Sequence, residues 1–148
     1  MIIPQSGYKP RQHTGSLHAP IHFGIPLKEA FNQDTTGLIG HDTNAFSATM
    51  RLPQKMSIVL QFCEYDSRYS RQVNILRARS TPPTRGQLAA ILAREVHRFL
   101  TGAAQAGKPL QFGGRYIVGL EDLVLVDVQH VSKSTLQPTI AIRAQTIA

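Results

Sequence analysis

The sequence predicts an α+β domain: an antiparallel sheet of about five strands, one long amphipathic helix packed on one face of it, and an irregular N-terminal arm. Three observations lead to this fold class. Residues 84–108 have the apolar spacing of a helix, the segments on both sides have strand-like patterns, and residues 1–44 have neither. A chain of 148 residues with 42% apolar content suits one core, which we place at residues 45–148.

Residues 1–44 carry too many prolines and glycines for a long regular element. Only residues 26–31 (PLKEAF) have the form of a short helix, with Pro26 near its first position. Such a segment on its own is an arm or a long loop, and it is ordered only when its own domain, a neighbouring subunit or another partner holds it. Its candidate anchors are Leu17, Ile21, Phe23, Ile25, Leu27 and Phe31. We therefore expect self-association, or contact with a partner protein, through this arm.

Strand patterns begin at Ala45. The apolar positions of the first one are Phe46, Ala48, Met50 and Leu52, which alternate with polar residues as in a half-buried strand. Residues 56–65 (MSIVLQFCEY) are apolar on both alternations, which is typical of a central strand covered on both faces. Residues 71–79 (RQVNILRAR) alternate again. We predict a three-stranded antiparallel meander that leads into the helix.

The helix has apolar side chains at i, i+3, i+4 and i+7 spacing. They are Leu88, Ile91, Leu92, Val96, Phe99, Leu100 and Ala103. Thr84 and Gln87 have the form of a capping box, and Gly107 followed by Pro109 ends the helix. Glu95 falls inside the apolar arc. We interpret it as a carboxylate at the rim that is bonded to an arginine or a backbone amide, with a functional carboxylate as the alternative.

Three further strands are predicted after the helix. Residues 116–118 follow a Gly-Gly turn, residues 123–131 (LVLVDVQHV) have the strongest strand pattern in the chain, and a hairpin then returns residues 139–144. Pro138 has no N–H to donate to a neighbouring strand. We therefore expect the last strand to lie at a sheet edge or to begin after this proline.

Basic residues are concentrated in one part of the chain. The net charge is +7, and residues 67–108 hold eight Lys and Arg against one acid, which accounts for the whole excess. Seven of the eight are arginines: Arg68, Arg71, Arg77, Arg79, Arg85, Arg94 and Arg98. The planar guanidinium suits two-point contact with phosphate or carboxylate. We expect these arginines to contact an acidic partner, with an ordinary solvated surface as the alternative.

No catalytic, nucleotide-binding or paired-cysteine motif occurs, so the sequence predicts no catalytic residue, no metal and no cofactor. It favours a non-catalytic binding and assembly module, with RNA or DNA as the first candidate partner and an acidic protein surface as the second. The alternative is a small basic ribonuclease-like enzyme that uses general acid and base residues such as Glu64 or His97.

The sequence has no run of the ~18 to 20 apolar residues that would span a bilayer and no secretory layout at residues 1–12. We therefore expect an intracellular protein, cytoplasmic or nuclear, without membrane contact.

Overall fold

The computed structural model describes residues 1–6, 19–63, 65, 68–112 and 116–143. The strands are β1 (Ile21–Pro26), β2 (Lys55–Leu60), β3 (Tyr69–Asn74), β4 (Gln111–Phe112), β5 (Tyr116–Ile117), β6 (Leu123–Ser132) and β7 (Thr135–Ile142). The helices are α1 (Leu27–Phe31) and α2 (Arg85–Gln105), with 3-10 turns at Ala78–Ser80 and Leu120–Asp122. Five strands form one sheet in the order β1-β6-β7-β2-β3, and β4 pairs with β5. The predicted α+β class is confirmed.

The long helix α2 forms as predicted. Thr84 Oγ1 accepts a hydrogen bond from the Gln87 amide at 3.1 Å, and Gln87 Oε1 accepts one from the Thr84 amide at 2.9 Å, which completes the capping box. Leu88, Leu92 and Val96 are fully buried in the core. Gly107, just after the helix, has φ of +75°. Among the described residues, no helix combines the length and apolar character needed to cross a bilayer.

The sheet is mixed, so the prediction of an antiparallel sheet was wrong in one pairing. β2 runs parallel to β7 at Ser57–Thr135 and Ile58–Leu136, while the other pairs of neighbouring strands are antiparallel. The reason is the strand order. The hairpin of β6 and β7 inserts between β1 and β2, so strands that are distant in the chain become neighbours.

Part of the predicted irregular arm is regular. β1 pairs antiparallel with β6, and α1 packs beside α2. Ile25 and Leu27 are 2% and 0% exposed, while Ile21, Phe23 and Phe31 are partly buried against the same core. Five of the six candidate anchors therefore contact this chain's own domain. Leu17 lies outside the described residues, and contact of residues 1–44 with other molecules stays a prediction.

The strand predicted over residues 45–52 is absent, and the chain forms turns there. In a meander, residues 45–52 would pair with β2. In the structure β7 occupies that position. Phe46, Met50 and Leu52 still pack against the core, whereas Ala48 is exposed. Phe46 is 5% exposed and meets the His130 ring edge-on, with 6.2 Å between ring centroids. The alternation of apolar residues thus marks a loop that is anchored to the core.

The prediction for the last strand was also wrong, because β7 begins at Thr135 and lies inside the sheet. Its pairing with β2 stops at Leu136, just before Pro138. Beyond that point β7 and the chain after β2 separate. Residues 1–6 fill the gap between them, which we call the fork. Gln5 Nε2 donates to the Pro138 carbonyl at 2.7 Å, and the Ile3 amide donates to Ile140 at 2.8 Å.

Pro138 is tolerated because its nitrogen points into this fork. The N–H and C=O of a strand residue point to the same edge, and the Pro138 carbonyl already meets Gln5 on the fork side. The missing donor therefore removes no hydrogen bond to β6. Gln5 Oε1 also accepts from the Gln61 amide at 3.1 Å and from Gln137 Nε2 at 3.2 Å, which closes the fork.

Gly86 is required where the loop after α1 meets the start of α2. A Cβ at this position would lie 2.7 Å from Thr35 Oγ1 and 3.0 Å from the His41 carbonyl oxygen. At Gly102, further along the same helix, a Cβ would meet nothing within 4 Å. The two glycines therefore separate the effect of close packing from that of helix propensity.

We expect Gly86→Ala to lower the free energy of unfolding by about 1 kcal/mol or more, because the loop must move away from the helix. Gly102→Ala is the matched control, and it should raise the free energy of unfolding by about 0.5 to 1 kcal/mol through helix propensity and the reduced entropy of the unfolded chain. Urea unfolding of both variants checks this. An equal gain in both would contradict the close approach at Gly86.

Candidate functional site

A groove of about 470 Å³ lies between the edge strand β3 and the helix α2. Five basic side chains line it: Lys55, Arg71, Arg77, Arg94 and Arg98. Glu95 is the one acid among the described residues that line it. We call this site the basic groove. It concentrates positive charge in one concave part of the surface, where the walls of a cleft strengthen the potential.

The helix contributes residues from the border of its buried face. Ile91, Arg94, Glu95 and Arg98 follow the i, i+3, i+4, i+7 spacing that forms one stripe. Glu95 is 3% exposed, whereas Arg94 and Arg98 are exposed to solvent. The stripe therefore runs along the line where the helix leaves the sheet.

Strand β3 supplies the opposite wall. Tyr69, Arg71 and Val73 alternate along the strand and so point to the same face of the sheet. Tyr69 and Arg71 both reach Glu95 on the helix. Within the described part of the chain, β3 pairs only with β2, so its outer edge borders the groove.

Glu95 joins the two walls through its carboxylate. Arg71 Nη1 donates to Oε2 at 3.0 Å and to Oε1 at 3.2 Å, and the Tyr69 hydroxyl donates to Oε1 at 2.9 Å. Arg98 Nε lies 3.8 Å from Oε2, which makes an ion pair beyond hydrogen-bond distance. The interpretation of Glu95 as a carboxylate bonded to an arginine is confirmed.

This arrangement orients the Arg71 guanidinium by hydrogen bonds and attracts that of Arg98 without covering either. The side chains of Arg71 and Arg98 remain 45% and 55% exposed, although Glu95 is nearly buried. A guanidinium has five N–H donors, and the two bonds from Arg71 to Glu95 use only Nη1. One carboxylate beside two arginines also leaves the cluster with net positive charge. The groove can therefore bind an anion without losing its internal ion pair.

Tyr69 has a shifted pKa. Burial, followed by the hydrogen bond to Glu95, raises the pKa of Tyr69 from its ordinary value of 10.0 to about 12. Its ring lies edge-on to Phe99, with 5.9 Å between ring centroids, and Tyr65 packs on Phe99 in the same way at 5.2 Å. The phenol is therefore a neutral donor that supports the carboxylate.

The seven predicted arginines do not form one surface. Arg71, Arg77, Arg94 and Arg98 line the basic groove, whereas Arg85 donates to the His22 carbonyl and lies over the Phe23 ring at 5.4 Å. Arg79 lies in the turn before α2 with φ of +58°, and Arg68 is exposed just before β3. Arg85 thus helps to hold β1, and only four of the seven arginines line the groove.

Sequence reasoning missed Lys55. It begins β2 and lies opposite Asn74 of β3, which brings it to the groove. The register of the hairpin between β2 and β3 is the signal that could have found it.

Of the two residues named for the ribonuclease alternative, the structure describes only His97. His97 is exposed, and its ring contacts that of Phe31 with 4.6 Å between centroids. Glu64 lies outside the described residues. Among those that are described, no three His, Cys, Asp or Glu side chains are placed to hold a metal ion.

The tyrosine predicts an alkaline effect on stability. Because the pKa of Tyr69 is about 12 in the folded chain and about 10 when unfolded, the folded state keeps a proton that the unfolded state loses in this window. The hydroxyl's contribution is therefore complete below pH 10 and is lost as the pH rises through about 12. We expect the stability advantage of the wild type over Tyr69→Phe to shrink across this range. Urea unfolding of both chains at several pH values measures the difference, and a constant difference up to pH 12 would contradict the buried bond to Glu95.

Comparison with family models, with curated proteins and with solved structures gave no match. A functional assignment must therefore rest on the chemistry of the groove itself.

Proposed function

We propose that this chain is a non-catalytic binding module whose basic groove holds nucleic acid by its phosphates. The observation that supports the proposal is the Glu95 cluster, which holds Arg71 and Arg98 in place within a groove that is also lined by Arg77 and Arg94. Nucleic acid is a polyanion, and phosphate oxygens accept the charge-assisted hydrogen bonds that arginine donates.

Fixed guanidinium groups favour binding because less side-chain entropy is lost when the ligand arrives. A free arginine loses rotamer freedom on contact with a phosphate, whereas Arg71 is already held by two hydrogen bonds to Glu95. Arg98 is placed by the ion pair at 3.8 Å. Arg94 and Lys55 add positive charge along the same groove. The arrangement suits a chain of negative charges better than a single ion.

The lining favours nucleic acid over an acidic protein surface. Val73 and Ile91 are the two apolar residues among those that line the groove, and Ile91 is only 6% exposed. Stable protein interfaces usually bury an apolar centre inside a polar rim. Phosphate contacts have no such requirement, because the release of counterions drives much of the association. The composition of the groove therefore matches the phosphate backbone.

The proposal predicts binding that weakens steeply with salt. If about four phosphates are contacted, the affinity for single-stranded RNA should fall about 50-fold between 50 and 200 mM salt, given a slope of about −0.7 per phosphate. Arg94→Glu should weaken binding about tenfold and reduce the salt slope by about one or more. Fluorescence anisotropy with a labelled oligonucleotide measures both. Arg143→Glu is the matched control, since Arg143 is exposed and does not line the groove.

Three outcomes would contradict this function. Equal loss of affinity in the Arg94→Glu and Arg143→Glu variants would mean that net charge alone attracts the RNA. Tighter binding of polyglutamate than of RNA at the same charge would favour an acidic protein partner. Recovery of shortened RNA after incubation, abolished by His97→Ala, would favour the ribonuclease alternative.

A further inference from the structure

A second cavity, of about 380 Å³, opens beside the basic groove. The two share Arg77, Ile91 and Arg94 as lining residues, so they form one continuous depression along α2. The other wall of this cavity is the loop after α1. Its remaining lining includes Gln33, Thr35, His41, Asp42, Gln87 and Ala90. We call it the polar cavity, because neutral hydrogen-bonding groups replace most of the cations of the groove.

The polar cavity lies at the start of α2, but it is not a phosphate site. Backbone N–H groups at a helix start can bind phosphate only when they are unoccupied. Here the Arg85 amide donates to Thr43 and the Gly86 amide to His41, both at 2.8 Å, and the Gln87 amide donates to Thr84 Oγ1. The Asp42 carboxylate among the lining residues also repels an anion. A phosphate is therefore directed to Arg94 and the groove beyond.

The groups that remain suit a flat, neutral, polar ligand. Gln87 accepts with its Oε1 in the capping box, and its Nε2 is a donor at an exposed position. Asp42 can accept from an exocyclic amino group. Ala90 and Ile91 also line the helix wall, where both are nearly buried. Hydrogen-bonding groups that meet the polar edge of a ring are among the features that proteins use to hold a nucleobase.

The distance along the helix fits a base joined to its phosphate. Gln87, Ile91 and Arg94 lie at i, i+4 and i+7 on one stripe, which spans about 10 Å at 1.5 Å per residue. A base between Gln87 and Ile91 would thus place its phosphate near Arg94. The next turn of the helix brings Arg98 and the Glu95 cluster, where the following phosphates would lie.

We propose that the polar cavity holds one unstacked base of a single-stranded nucleic acid whose phosphates follow the basic groove. This inference rests on the proposed function, because the groove must bind phosphates for the base to be presented. It narrows the proposed ligand to single-stranded nucleic acid with accessible bases. A duplex is excluded, since its bases are paired and stacked.

The test compares two probes that carry the same phosphates. One is a labelled oligodeoxycytidylate of about ten nucleotides, and the other is the same sugar-phosphate chain without bases. The wild type should bind the chain without bases about tenfold more weakly, because the contribution of one held base is lost. The double variant Gln33→Gly with His41→Ala removes two side chains of the wall that faces Gln87 across the cavity. It should lose this preference for bases, so that the ratio of the two affinities falls toward one.

The variant is chosen to keep the fold and the charge. Gln33 has φ of +61°, which glycine adopts without strain, and His41 contributes its backbone carbonyl and amide, which alanine retains. The formal net charge of +7 is unchanged. Gln129→Ala, at an exposed position that does not line the cavity, is the control and should keep the wild-type ratio.

The outcomes separate the two proposals. If the wild type binds both probes equally, the cavity holds no base and this inference fails, while the phosphate groove stands. If the double variant keeps the wild-type ratio, the inference also fails. If neither probe binds at low salt, the proposed function itself is wrong.

Discussion

The carboxylate of Glu95 is the interaction on which the candidate site depends. A charge that is 3% exposed is tolerated only with partners, and Glu95 takes them from β3, in Arg71 and Tyr69, as well as from its own helix. The edge of the sheet is thereby tied to the middle of α2. Because loss of these partners would leave a buried charge unpaired, the bonds from Arg71 and Tyr69 to Glu95 favour contact between the two walls of the groove.

The rest of the fold makes this edge available for binding. The β6–β7 hairpin occupies the centre of the sheet, and residues 1–6 close the fork beside β7, so β3 is left at the border with its outer edge beside α2. At the other border, β1 is held by Arg85, which is therefore occupied. Arg85 therefore serves the fold, whereas Arg71, Arg77, Arg94 and Arg98 line the groove.

Two kinds of chemistry lie next to each other along α2. Towards its start, amide, imidazole and carboxylate groups line a cavity whose helix amides are already bonded. Further along, the lining becomes cationic. Arg77 and Arg94 belong to both parts. A ligand that carries a neutral polar ring and a chain of phosphates would match this order, and the proposed binding of single-stranded nucleic acid rests on that match.

The sequence by itself determined the local structure: α2 with its capping box, the apolar strand β2, the strong strand β6 and the excess of arginine after residue 66. It also identified Glu95 as a charge that needs an arginine or a backbone amide as its partner, because helical periodicity places it among apolar residues. Only the tertiary structure decided which strands are neighbours, that residues 45–52 form a loop, that Pro138 lies inside the sheet, and which arginines share a groove with Lys55. Periodicity reports the burial of a residue but not the identity of its neighbours. Pairing of strands distant in the chain is set by the whole core, which no single segment encodes.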